Sequence, residues 1–128
     1  MSIPRRRLLA VLALALVVPA FAQHRHDHKP KHGGLVKETG GLVYELVVTP
    51  SEIAVWVSDE GNKPTPTQGS TATVTLIDSG SRTPVPLAPA GVNKLAAAGN
   101  FVVKPGMSVL LEVFIGGKPI GKLRYTLK

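Results

Sequence analysis

Beyond residue 41 the chain is built from short apolar runs that alternate with other residues and end at glycine, proline, asparagine or aspartate. A period of two is typical of β-strands with one buried face, and no stretch shows the period of an amphipathic helix. The pattern predicts an all-β domain with strands at residues 42–48, 53–58, 72–77, 85–87, 94–97, 101–103, 108–115 and 120–127.

The last predicted strand has an apolar face and a polar face, with Lys122, Arg124 and Thr126 on the polar one. Two sheets packed face to face bury every such strand, so we predict a small antiparallel β-sandwich of immunoglobulin-like type. The strand count alone does not separate this sandwich from a barrel. Gly116-Gly117 predicts a tight hairpin, and residues 61–69, with two prolines, predict a loop between sheets or along an edge.

Residues 1–22 have the three parts of a secretory signal peptide. Three arginines at positions 5–7 precede an apolar run over residues 8–18, and small residues follow at Ala20 and Ala22. The run is shorter than the roughly 20 residues that cross a bilayer, and Pro19 interrupts it near its end. We predict cleavage after Ala22 and no membrane span in the exported chain.

The exported chain begins with residues 23–31, QHRHDHKPK, which contain no apolar residue that could offset the entropy of ordering. We predict a flexible histidine-rich arm over residues 23–31, followed by one β-sandwich domain over residues 32–128. The remaining 106 residues are enough for one hydrophobic core.

All four histidines of the chain lie within nine residues of this start, and Asp27 lies among them. Imidazole nitrogen suits divalent Cu, Zn, Ni and Co, and a flexible segment can wrap one ion without prebuilt geometry. The predicted metal ligands are His24, His26, His28, His32 and Asp27. The alternative is a solvated linker that merely contains histidine.

Neighbouring cations limit the affinity of such a site. Arg25, Lys29 and Lys31 repel a metal ion, so we predict reversible capture that weakens as pH falls through the histidine range near 6.5. Processing one residue later, after Gln23, would place His26 third in the chain. There the terminal amine, two amide nitrogens and the imidazole form a square around Cu(II) or Ni(II).

Other function classes are poorly supported by the composition. Without the three signal arginines the chain has 12 basic and 8 acidic residues, a net charge of +4. Its basic residues are not interleaved with the aromatic side chains that stack on bases, so nucleic-acid binding is not predicted. The absence of cysteine excludes thiolate metal sites, and Met107 alone does not support a Cu(I) thioether site. No nucleophile and base, or acid and base, share a rigid element, so we predict that the protein is not an enzyme.

Three residues near the start of the domain bear on the metal hypothesis. Gly33-Gly34 lets the backbone turn where the arm joins the domain, so His32 is expected at a fixed place. Glu45 lies among apolar strand residues and is either a carboxylate metal ligand facing His32 or a solvent-facing edge charge, the second being favoured. Trp56 alternates with valines and is interpreted as a core or sheet-surface aromatic.

Four short segments together resemble a known group of proteins: residues 31–34 (KHGG), 44–47 (YELV), 55–59 (VWVSD) and 61–64 (GNKP). They are similar to small periplasmic proteins, and to amino-terminal domains of periplasmic adaptor subunits, associated with heavy-metal efflux of the resistance-nodulation-division type. The resemblance covers residues 31–77 and implies a periplasmic β-sandwich linked to Cu, Zn, Co or Ni. His32 matches the histidine before the paired glycines, but a further histidine often found near the position of Tyr44 is absent.

Together these patterns predict periplasmic binding of a divalent transition metal by the histidine cluster, with periplasmic components of an efflux system as expected partners. The rival prediction is a protein-interaction or assembly module that docks through a sheet edge or the proline loop, with the arm as an incidental tail.

Overall fold

A computed structural model describes residues 28–128, which form eight antiparallel β-strands and no helix. The all-β prediction is confirmed. The strands are β1 Leu35–Thr39, β2 Leu42–Val48, β3 Glu52–Asp59, β4 Ser70–Asp78, β5 Ser81–Pro89, β6 Lys94–Ala98, β7 Ser108–Ile115 and β8 Lys118–Thr126.

The strands form one continuous sheet in the order β1-β2-β3-β6-β5-β4-β7-β8. The two ends of this sheet meet, because β1 packs beside β8, and the sheet is therefore nearly closed around a single core. The finer assignment as an immunoglobulin-like sandwich stays a prediction.

Strand alternation places the core on one face of the sheet. In β2, Tyr44 and Leu46 point inward and are 0% and 1% exposed, and in β3 the inward residues are Ile53, Val55 and Val57. The intervening residues, Glu45 and Trp56 among them, therefore lie on the face opposite the core, called the outer face here. This division positions the candidate site.

Prolines confine the pairing of β5. Pro84 and Pro86 pair with β4, and because proline has no N–H, the other side of β5 lacks ladder donors at these positions. In the structure β5 pairs with β6 only at Ala88 and Pro89.

Paired glycines close two hairpins. Gly116 and Gly117 have φ values of +56° and +81° and join β7 to β8, as predicted, and Gly40 and Gly41 join β1 to β2 in the same way. Positive φ at both central residues matches the twist of the flanking strands and is accessible to glycine at little cost.

Two strand predictions were wrong. Residues 101–103 are not a strand: Phe101 N–H donates to the carbonyl of Pro50, which lies in the turn between β2 and β3. Strand β1 was missed, because Leu35–Thr39 contains only a short apolar run and depends on pairing with β2. The proline segment 61–69 does lie along the end of β3, where Thr65 N–H donates to the carbonyl of Val57.

A buried tyrosine pair links the two ends of the sheet. The Tyr125 hydroxyl donates to the Tyr44 carbonyl at 2.9 Å, whereas the Tyr44 hydroxyl has no partner within residues 28–128. Burial raises the pKa of both phenols.

No helix in the described part of the chain is long and apolar enough to cross a membrane.

Candidate functional site

The structure describes two of the five predicted metal ligands, His28 and His32. His24, His26 and Asp27 lie outside the described residues. Residues 28–34, called the amino-terminal segment here, lie on the outer face of the sheet and cover part of β2.

The strand registers build the platform beneath this segment. Val36 pairs with Glu45, Glu45 with Trp56, and Trp56 with Lys94. These four residues therefore form one row across β1, β2, β3 and β6, and directly opposed residues share a face of the sheet. The row carries a carboxylate, an indole and an ammonium group side by side.

The Glu45 carboxylate holds the amino-terminal segment on this row. Its Oε1 accepts hydrogen bonds from Lys31 N–H at 3.1 Å and from the His32 ring at 2.8 Å. Its Oε2 accepts from the N–H groups of His32 at 2.7 Å and Gly34 at 3.0 Å. A buried carboxylate is tolerated only with partners of this kind, and Glu45 is 6% exposed.

Two opposed effects act on the Glu45 pKa. Burial raises it, but hydrogen bonds from the His32 ring and from the backbone N–H groups of Gly34, His32 and Lys31 outweigh burial, and the pKa is lowered from its ordinary value. The ionised carboxylate is therefore the form that the site stabilises. The interpretation of Glu45 as a solvent-facing edge charge was wrong, because the carboxylate is buried and faces His32.

His32 is held from two sides. Its ring stacks on Trp56 with the ring centroids 3.8 Å apart and the planes 8° from parallel, and Nδ1 lies 2.8 Å from Glu45 Oε1. The side chain remains 38% exposed. Within residues 28–128 the other ring nitrogen, Nε2, has no hydrogen-bond partner.

Gly34 lets the amino-terminal segment approach the sheet this closely. A Cβ at this position would lie 2.4 Å from the carbonyl oxygen of Leu46 and 2.8 Å from a methyl of Val47. Gly33 has a φ of +71° and no atom within 4 Å of such a Cβ. One glycine therefore supplies close contact with β2, and the other supplies the turn after His32.

His28 lies against different residues. Its Nδ1 is 2.9 Å from Asn62 Oδ1, and its Nε2 is 3.3 Å from Glu38 Oε2. The Lys31 ammonium donates to the Asn62 carbonyl at 3.2 Å. These contacts join the start of the amino-terminal segment to β1 and to the turn after β3.

Within residues 28–128, no group of three or more histidine, aspartate or glutamate side chains is arranged to hold a metal ion. Of the two predicted ligands in the described residues, His28 and His32, only His32 leaves a ring nitrogen with neither a hydrogen-bond nor an ion-pair partner within residues 28–128. Met107 is buried, and its sulfur accepts the N–H of Lys104 at 3.1 Å.

Cations lie close to the site. The Lys94 ammonium is 5.1 Å from the centre of the Trp56 ring and 3.3 Å from a Glu52 carboxylate oxygen. Lys31 precedes His32 directly and reaches Asn62. These positive charges oppose the binding of a metal cation, and this opposition limits its affinity.

Comparisons with known proteins add one distant likeness. No protein-family model matches the chain, and no curated protein matches it. Among solved structures it is similar to one described as the crystal structure of a Br derivative of BhCBM56, at 11% identity and a TM-score of 0.44. The match covers 73% of this chain and 99% of that one. At this similarity the likeness carries no argument about function.

Proposed function

We propose that this protein captures divalent Cu, Zn, Ni or Co in the periplasm through its amino-terminal histidine cluster, in metal homeostasis or efflux, without catalysing a reaction. Imidazoles of His24, His26 and His28 make the first contacts, with Asp27 as an additional oxygen donor. His32 anchors the ion to the domain.

The observation that supports this proposal is the environment of His32. Its ring is fixed by Glu45 and Trp56, yet the side chain is 38% exposed, and its Nε2 has no partner within residues 28–128. A ring that is already oriented loses less conformational entropy on binding than a mobile one. The carboxylate behind Nδ1 also resembles the outer-shell partner that metal-binding histidines commonly have.

Two features favour reversible capture over a permanent site. Coordination through His28 competes with its contacts to Asn62 and Glu38. The positive charges of Arg25, Lys29 and Lys31 oppose the bound cation. Because binding is expected to be reversible, the metal can be released to periplasmic efflux components. This role agrees with the resemblance of residues 31–77 to efflux-associated proteins.

A docking or assembly role is the second candidate. Val92 and Val102 are 76% and 65% exposed, and Val92 borders a groove that is also lined by Pro66 and Pro89. In this role a partner protein covers apolar surface of the domain, and the histidine arm is incidental.

Isothermal titration of the exported protein with Cu(II), Zn(II), Ni(II) and Co(II) at about pH 7.5, above the histidine range, tests the proposal. Saturable binding at micromolar concentration or tighter, lost when all four histidines are changed to alanine, is the expected result. A matched variant, in which Lys29 and Lys31 are changed to alanine, should bind at least as tightly. Absence of binding to the unsubstituted protein would contradict metal capture and favour the docking role.

A further inference from the structure

The hydrogen bonds of Glu45 determine what this side chain can do. Oε1 and Oε2 each accept two hydrogen bonds, and three of the four donors are backbone N–H groups. A backbone N–H can only donate, so each of these bonds requires the carboxylate to accept. Direct coordination of a metal by Glu45 would break at least one of these bonds within a buried site.

The fourth donor is the His32 ring. Nδ1 lies 2.8 Å from Oε1, and with the carboxylate as acceptor, Nδ1 must carry the proton. In a neutral imidazole the proton is then absent from Nε2, whose lone pair becomes the ring's only free donor to a metal. Stacking on Trp56 at 8° fixes the plane in which this lone pair points.

We infer that Glu45 is a positioning residue that selects Nε2 of His32 as its metal-binding nitrogen and holds the ring ready for the ion. This inference rests on the proposed function, because it assigns a role within the same site. In this arrangement a buried residue 13 positions away in the sequence selects the metal-binding nitrogen before the metal binds.

Glu38 provides the matched comparison. It also faces a histidine, with Oε2 at 3.3 Å from His28 Nε2, but its side chain is 48% exposed, whereas Glu45 is buried. Replacing Glu38 removes a carboxylate near the arm without changing the hydrogen bonds of His32. Outer-shell partners of metal-binding histidines typically contribute 10- to 100-fold to metal affinity, and weakening of this size is expected when Glu45 is replaced. Replacing Glu38 instead removes a contact that competes with coordination through His28, so it should not weaken binding.

The first test needs neither a variant nor a metal. Long-range ¹⁵N–¹H NMR of the exported protein at about pH 7.5, where imidazole is mainly neutral, reports which nitrogen of each histidine carries the proton. A protonated Nδ1 and an unprotonated Nε2 at His32 are expected. The opposite tautomer at His32 would overturn the inference.

The second test is a double-mutant cycle read by Cu(II) titration. Glu45→Gln should weaken binding by about 10- to 100-fold in the unsubstituted protein and have no further effect in a His32→Ala background, because its role acts through His32. Equal weakening in both backgrounds, or an equal effect of Glu38→Gln, would overturn the inference. Failure of the unsubstituted protein to bind Cu(II) would instead contradict the proposed function, and the NMR result would still decide the tautomer.

Discussion

The Glu45 carboxylate lies 2.8 Å from His32 Nδ1 and also accepts the backbone N–H groups of Lys31, His32 and Gly34. One buried side chain on β2 thus fixes the path of the amino-terminal segment over the sheet. This docking brings a histidine onto the only tryptophan of the chain.

The two glycines after His32 should respond differently to alanine. Gly34→Ala should cost about 1–3 kcal/mol, because its Cβ meets the backbone of β2 in a packed region, and it should shift Trp56 fluorescence as the stack with His32 opens. Gly33→Ala should cost about 1–2 kcal/mol through its positive φ, with Trp56 emission unchanged. Urea unfolding and emission spectra check both. Identical spectra for the two variants would contradict the close contact at Gly34.

Acid should weaken the fold through Glu45. Burial raises the pKa of this carboxyl, but its hydrogen bonds lower it further, so the folded-state pKa lies below the ordinary value of 4.5. The stability contributed by the ionised carboxylate is therefore present above pH 4.5 and is lost as pH falls through the lower folded-state value.

Urea unfolding of the metal-free protein and of Glu45→Gln, from pH 6 down to pH 3, measures this contribution. The difference in free energy of unfolding should be largest at the upper end of this range and shrink below the ordinary pKa. Glu38→Gln, at an exposed site, should have a much smaller effect at every pH. A constant difference between the Glu45 variant and the unsubstituted protein would show that ionisation is not the cause.

The two buried tyrosines should respond differently to loss of the hydroxyl, because within the described residues only the Tyr125 hydroxyl has a hydrogen-bond partner. Tyr125→Phe removes the hydroxyl that donates to the Tyr44 carbonyl and should cost about 1–2 kcal/mol. Tyr44→Phe removes a hydroxyl without a partner in the described part of the chain and should be neutral or slightly stabilising. Thermal or urea unfolding compares the two. A larger loss at Tyr44 would reveal a partner for that hydroxyl.

Export should remove the first 22 residues. When the gene product is expressed with its own leader in a Gram-negative host and recovered from the periplasm, its intact mass should correspond to a chain that begins at Gln23. A mass that begins at His24 would favour the alternative terminus with His26 in third place. Retention of the full chain would contradict the signal-peptide prediction.

The fold could be predicted from the sequence where the information is local. Alternation identified most strands, and Gly116-Gly117 predicted the last hairpin. Strand β1 could not be identified in this way, because its short apolar run is completed by pairing with β2. The apolar pattern of residues 101–103 was misleading for the same reason: a strand also needs a partner, and within residues 28–128 no strand pairs with this segment.

The candidate site could be predicted only in part. Clustering alone predicts the histidines as ligands, and the strand pattern admits Glu45 facing His32 only as the less favoured of two alternatives. Its burial on the outer face depends on the amino-terminal segment covering it, which alternation within β2 does not encode. The stack of His32 on Trp56 likewise joins residues 24 positions apart. The row Glu45, Trp56 and Lys94 becomes visible only once the strand registers are known.

Titration of Trp56 fluorescence with Cu(II) tests most directly whether His32 anchors the ion to the domain, because the chain has one tryptophan and its ring stacks on His32. Saturable quenching is expected, which a chelator should reverse, which His32→Ala should abolish and which should persist in Glu38→Gln. Quenching that persists in His32→Ala would show that the ion lies near Trp56 without this histidine, and calorimetric binding without any quenching would place the ion on the arm away from the sheet. Either result would contradict the anchoring role of His32.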